Sequence, residues 1–74
     1  MKELDESDIV AICIVLEQAI DAHICEINGV EDDLRWTEST QGRTHLEYVR
    51  EMHEDEAAKL RILLEKLGHP YDGW

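Results

Sequence analysis

Eight consecutive apolar residues, Ile9-Val-Ala-Ile-Cys-Ile-Val-Leu16, constrain this chain more than any other feature in it. As a helix the run covers more than two turns and lines every side of the cylinder, whereas one facing helix buries only a stripe. A short apolar run alone does not separate helix from strand by periodicity. A strand would need a pairing partner, however, and nothing else in the 74 residues has strand composition, so helix is the reading. The run is far shorter than the ~20 residues that cross a bilayer. Acidic residues flank it where a signal peptide would carry basic ones, which makes the cytoplasm the expected location.

Asp5 is placed as an N-cap ahead of the run, with Glu6 and Asp8 in the first turn and Leu4 spaced to staple onto Ile9. Ile9, Cys13, Leu16, Ile20, His23 and Ile27 then follow steps of four and three, the seam of a packed helix spanning about 5–28. Asn28-Gly29 suits a C-cap. Yet Val30 and Leu34 continue the spacing, and a helix carrying one glycine at a cost of about 1 kcal/mol reaches Trp36. Both ends stay open. Residues 37–43 hold no apolar side chain and read as the connection. Thr44-x-x-Glu47 has the pattern of a capping box, opening a second helix over 44–67. Leu46, Val49, His53, Glu56, Leu60, Leu63 and Leu67 form its stripe, widened by Ile62 and Leu64. Gly68 and Pro70 stop it, and the tail 68–74 is expected to fold back. Residues 1–74 thus read as one all-α domain, an antiparallel two-helix hairpin.

A chain this short buries only about 60% of its unfolded surface, the marginal end for one domain. The sides of the first helix left uncovered by the second call for a partner. Val10, Ile14 and Ile24, beside the seam, are the expected oligomer interface, and two hairpins would close into a four-helix bundle. A tail or middle segment folding over that side is the plainer alternative. Cys13 and Cys25 would lie about 18 Å apart on one helix and cannot pair with each other, so they read as reduced core thiols. A bridge across a dimer is the other possibility.

Eighteen acidic against seven basic residues leave a net charge of −11. Lys2, Arg35, Arg43, Arg50, Lys59, Arg61 and Lys66 are scattered along the sequence, so direct binding to nucleic acid or to an anionic membrane is not expected. The compatible partners are cations and basic protein surfaces. Glu47, Glu51, Glu54 and Asp55 fall on the outer side of the second helix, and Glu31, Asp32 and Asp33 cluster near the connection. Such ordered carboxylates can occupy a groove built for phosphates, which would make the chain an inhibitor by mimicry. The plainer reading is that excess acid keeps an apolar oligomer in solution. Trp36 beside Arg35, and Tyr71 and Trp74 in the tail, are candidate aromatic anchors, with packing over the bundle ends as the alternative.

No nucleophile with a base, and no phosphate-cradling glycine loop, is visible. The one constellation with chemistry is Glu17, His23, His53 and Glu56, on or beside the two apolar stripes. Helical bundles hold iron or manganese pairs with His and carboxylates three apart on facing helices, and dimerisation would double the set. Here the order is His-x-x-Glu, the reverse of the usual Glu-x-x-His, inside the acidic run Glu51-Met-His-Glu-Asp-Glu56. The leading expectation is therefore a cofactor-free, non-enzymatic interaction or regulatory protein. It oligomerises, most simply as a dimer, and binds a basic protein through Trp36 and the acidic side of the second helix. The second reading is a di-metal bundle.

Overall fold

The computed structural model describes residues 3–72. A first helix, α1, spans Glu6–Trp36, and a second, α2, spans Thr40–Lys66. The start of α1 is fixed reciprocally: the Asp5 carboxylate accepts from the Asp8 N–H at 2.8 Å, and the Asp8 carboxylate accepts from the Asp5 N–H at 3.2 Å. Two of the four N–H groups that a helix start leaves without partners are answered in this region by carboxylates, whose charge also suits the helix dipole. Leu4, read as a staple, is instead exposed.

The first helix runs through Gly29 without a break. Val30 and Leu34 are buried in the interhelical seam, and burying two such side chains yields about 3–6 kcal/mol against the roughly 1 kcal/mol cost of one glycine. The connection is correspondingly shorter than the polar composition of 37–43 suggested, for only residues 37–39 are non-helical. Ser39 caps α2 by accepting from the Gly42 N–H at 3.3 Å. Thr44, read as a cap, lies inside the helix and donates its hydroxyl to the Thr40 carbonyl at 2.9 Å.

The end of α1 leaves carbonyls that need donors, and the turn supplies two. Thr37 Oγ1 donates to the Asp33 carbonyl at 2.7 Å, and Arg43 Nη1 reaches back from α2 to the Leu34 carbonyl at 2.9 Å. A polar segment of three residues thereby closes a tight hairpin. Gly42 is required there by close approach, since a Cβ at that position would stand 2.9 Å from the Thr37 methyl.

At the other end, Gly68 adopts φ +83°, and the N–H groups of Gly68 and His69 donate to the carbonyls of Glu65 and Leu64. This is the pair of bonds of a Schellman stop, which glycine accommodates without strain. The tail then turns back, and Tyr71 packs against the core cluster of Cys13, Ile20 and Leu64 and donates its hydroxyl to the Asp21 carboxylate. Trp74 and Lys2 lie outside the described residues.

The seam of α1 is Cys13, Ile20, Ile27, Val30 and Leu34, with Ile9, Leu16 and Ile24 packed beside it. On α2 the fully buried residues are Ala57 and Leu64, one step round from Glu56 and Leu63 of the sequence reading. Both of those are exposed. Turning Ala57 inward spares the desolvation of the Glu56 carboxylate, and its small side chain lets the helices approach. Cys25 also departs from expectation: it is exposed, while Cys13 is buried, and both are free thiols. No helix among the described residues is long and apolar enough to cross a membrane.

Candidate functional site

A hairpin whose turn centres on residue 38 brings the middle of α1 level with the middle of α2. His23 and His53 meet there. Their Nδ1 atoms lie 2.8 Å apart, the ring centroids are 5.1 Å apart, and the ring planes are inclined by 50°. Both side chains are half-buried along a seam whose buried residues are Cys, Ile, Leu, Val and Ala. At that separation one nitrogen donates a proton and the other accepts it. With both rings doubly protonated, two donors of like charge would face each other. Polar pairs of this kind at a helical seam also fix register, because a slip leaves each ring without its partner.

The two carboxylates read with these histidines stand elsewhere. Glu17 is on the stripe that runs Val10, Ile14, Glu17, Asp21, Ile24, the flank onto which the tail folds. Its charge, together with the hydrogen bond to Asp21 and the Asp21 charge, acts on Tyr71, whose hydroxyl is held above its ordinary pKa of 10.0, chiefly by that hydrogen bond. Glu56 is exposed and 3.3 Å from Lys59 Nζ. Among the described residues no group of three or more His, Cys, Asp or Glu is arranged to hold a metal within one chain.

The stripe assigned to oligomerisation is altered in the same way. Val10 and Ile14 are exposed, but Ile24 packs against the chain's own core, and Tyr71 occupies the middle of the stripe at Asp21. The opposite flank is open at its outer edge, although Leu16, Leu60 and Leu67 on it also pack against the core. Ile12, Leu16 and Ala19 precede His23 there at steps of four, three and four, and Leu60, Leu63 and Leu67 follow His53 on α2. Val15 and Leu63, at its outer edges, are 63% and 43% exposed. No carboxylate occurs in 9–16 or in 57–64; the first segment is wholly apolar, and the second holds two cations, Lys59 and Arg61, among its apolar residues.

The residues expected to meet a partner are at the surface. Trp36 closes α1 at the hairpin tip and is 80% exposed. Glu47, Glu51 and Asp55 are exposed and succeed one another at steps of four, a row about 12 Å long. Glu54 is half-buried, with Arg50 Nε at 3.9 Å, an i,i+4 ion pair of a few tenths of a kcal/mol at most. The basic residues are less scattered than the sequence implied. Folding at the tip gathers Arg35, Arg43 and Arg50 around one shallow depression with Leu34, and Glu31 and Glu47 line it too. The mixture of signs makes it a place for a polar surface of either charge. Sequence reasoning missed it because these residues become neighbours only when the turn is confined to 37–39.

The chain matches no family model, no curated protein and no solved structure.

Proposed function

We propose that this chain is a non-enzymatic interaction protein that pairs with a second copy of itself into a four-helix bundle and engages a basic protein partner through its acidic sides. The observation carrying the first half is the surplus of exposed surface on the hairpin. The chain exposes 5748 Å², whereas a compact monomer of 8.6 kDa exposes about 4,700 Å². The excess of about 1,000 Å² exceeds the roughly 800 Å² that each partner contributes to a standard interface. Shape agrees with area. The hairpin measures 53 × 21 × 14 Å, one helix layer thick, and a second layer about 10 Å away gives a near-square bundle.

A second copy is favoured as occupant of that flank because its exposed apolar residues, Ile12, Val15 and Leu63, give an isologous contact apolar surface to bury, and Glu56 and Lys59 beside Leu63 are already paired with each other. Carboxylates on the tip and on the outer side of α2, within a chain of net charge −11, would steer toward basic partners. Regulation or inhibition by charge mimicry is the form of activity that fits such a surface. The exposed thiol of Cys25 suits a reducing compartment such as the cytoplasm.

Light scattering after size exclusion tests the dimer. Wild type should elute with twice the 8.6 kDa chain mass. Val15→Glu with Leu63→Glu should give a monomer that keeps its helicity, since both residues are exposed in the hairpin. Ile14→Glu should leave the dimer intact. A wild-type monomer, or a dimer broken by Ile14→Glu but not by the pair, would overturn the assignment.

A further inference from the structure

We propose that His23 and His53 form half of a transition-metal site that the same two residues of a second copy complete, so that one zinc ion is held between two hairpins by four imidazole nitrogens. The inference rests on the dimer described above. Two Nδ1 atoms already converge at 2.8 Å from facing helices, so the chain has positioned two ligands without help from the metal. Tetrahedral zinc with Zn–N bonds of about 2.0–2.1 Å separates its nitrogens by about 3.3 Å, so the rings need to part by only about half an ångström. Side-chain rotation at half-buried positions accommodates that. Coordination replaces the hydrogen bond between the rings: each Nδ1 gives its lone pair to the metal, and the ring that had donated carries its proton on Nε2 instead, so both ligands are neutral imidazoles.

Two ligands do not make a structural zinc site, which takes four. Within one chain the set stays at two among the described residues. The place of the pair in the fold supplies the rest. His53 is the midpoint of α2, and His23 lies two residues from the midpoint of α1. Both are half-buried, and helical spacing sets them on the stripes that carry Ile12, Leu16 and Ala19 on α1 and Leu60 and Leu67 on α2, beside the flank assigned to the dimer. A two-fold axis across it sets each pair opposite its copy in either orientation. Antiparallel hairpins meet at mid-length, and parallel hairpins meet at equal height. An all-imidazole donor set selects zinc over magnesium, calcium and manganese, which take oxygen ligands. This departs from a carboxylate-bridged iron or manganese pair, since Glu56 is paired with Lys59 and Glu17 lies on the flank where the tail folds.

The test uses the full chain, stripped with chelator and titrated with zinc chloride, and reads mass by native mass spectrometry. One zinc per two chains is expected. His53→Leu, which places an apolar side chain at the seam, should keep its helicity by circular dichroism and its dimer mass while losing the zinc. Glu56→Gln should bind zinc as wild type does, and cobalt in place of zinc should give the intense visible bands of a tetrahedral site. A chain that is monomeric without metal and dimeric with zinc would support the shared site while overturning a dimer that forms by apolar contact alone. A wild-type dimer that takes up no zinc overturns the site and leaves the dimer standing, as does zinc retained by His53→Leu. One zinc per monomer, or loss of zinc in Glu56→Gln, overturns the shared imidazole set. A monomer both with and without zinc overturns the site and the dimer together.

Discussion

Gly29→Ala separates the two paths the sequence left open for the first helix, because its sign differs between them. In the structure Gly29 is an interior residue of a 31-residue helix, and a Cβ added there meets no atom within 4 Å. The substitution therefore removes a backbone entropy cost without creating a clash, which stabilises a helix interior by about 0.9 kcal/mol. Unfolding entropy of about 2.1 cal/mol/K per residue gives about 0.16 kcal/mol/K for a chain of this length, so Tm should rise by about 6 °C. The assay is thermal unfolding followed by circular dichroism at 222 nm, with both proteins at one concentration because the proposed self-association would make Tm depend on it. Were the chain instead to turn at Asn28-Gly29, the glycine would sit in the left-handed region, and alanine there would cost about 1 kcal/mol. A fall in Tm of several degrees would refute the continuous helix.

Other positions give contrasting outcomes. Gly68→Ala also meets open space, but at φ +83° the cost is in the backbone, so the same melting assay should show a loss of about 1 kcal/mol. A neutral result would mean that the Schellman stop does not form. Leu64→Ala, at a fully buried position of the core cluster, should cost about 2–5 kcal/mol, read as a drop in the urea midpoint. Tyr71 is held above its ordinary 10.0 by the hydrogen bond to Asp21, slight desolvation and the charges of Asp21 and Glu17. A raised pKa in the folded state means that the protonated phenol supports folding fully below pH 10, and that this support fades as pH rises through the folded value. Phenolate absorbance at 295 nm, in a Tyr48→Phe background, should shift to lower pH in Asp21→Asn; an unchanged curve would sever the contact. Glu51→Lys with Glu54→Lys should weaken binding of an oligolysine peptide more than Glu3→Lys with Glu6→Lys, and equal losses would show that net charge alone acts.

The parts of the fold that local chemistry dictates are legible in the sequence, and the parts set by packing are not. Asp5 and Gly68 mark helix ends by their own side chain or lack of one, and both stand where the sequence puts them. The turn is different. Its length depends on Arg43 reaching the carbonyl of Leu34, a contact nine residues apart that no local pattern announces. The seam of α2 was misplaced by one residue at Glu56 and Leu63, because the strongest apolar stripe on that helix is not the one that faces α1. Ala57 contributes little hydrophobicity yet is fully buried, whereas Leu63 contributes much and remains open to solvent. The offset between the two stripes is itself informative, for it is the direction in which α2 has apolar surface left over. His23 and His53 were each visible as polar residues on apolar stripes, but their pairing needed the turn to be fixed first. Glu17 and Glu56 were joined to them by spacing alone. Glu17 instead acts by its charge on Tyr71 of the tail, a neighbour 54 residues away that no spacing announces.

The central claim is that the flank beside the histidine pair is covered by a second copy of the chain. Isotope-filtered NMR on an equimolar mixture of methyl-labelled and unlabelled protein tests it residue by residue. The account predicts intermolecular contacts from the methyl groups of Ile12, Val15 and Leu63. Intermolecular contacts confined to Val10 and Ile14, or none at all at concentrations used for structural work, would contradict it.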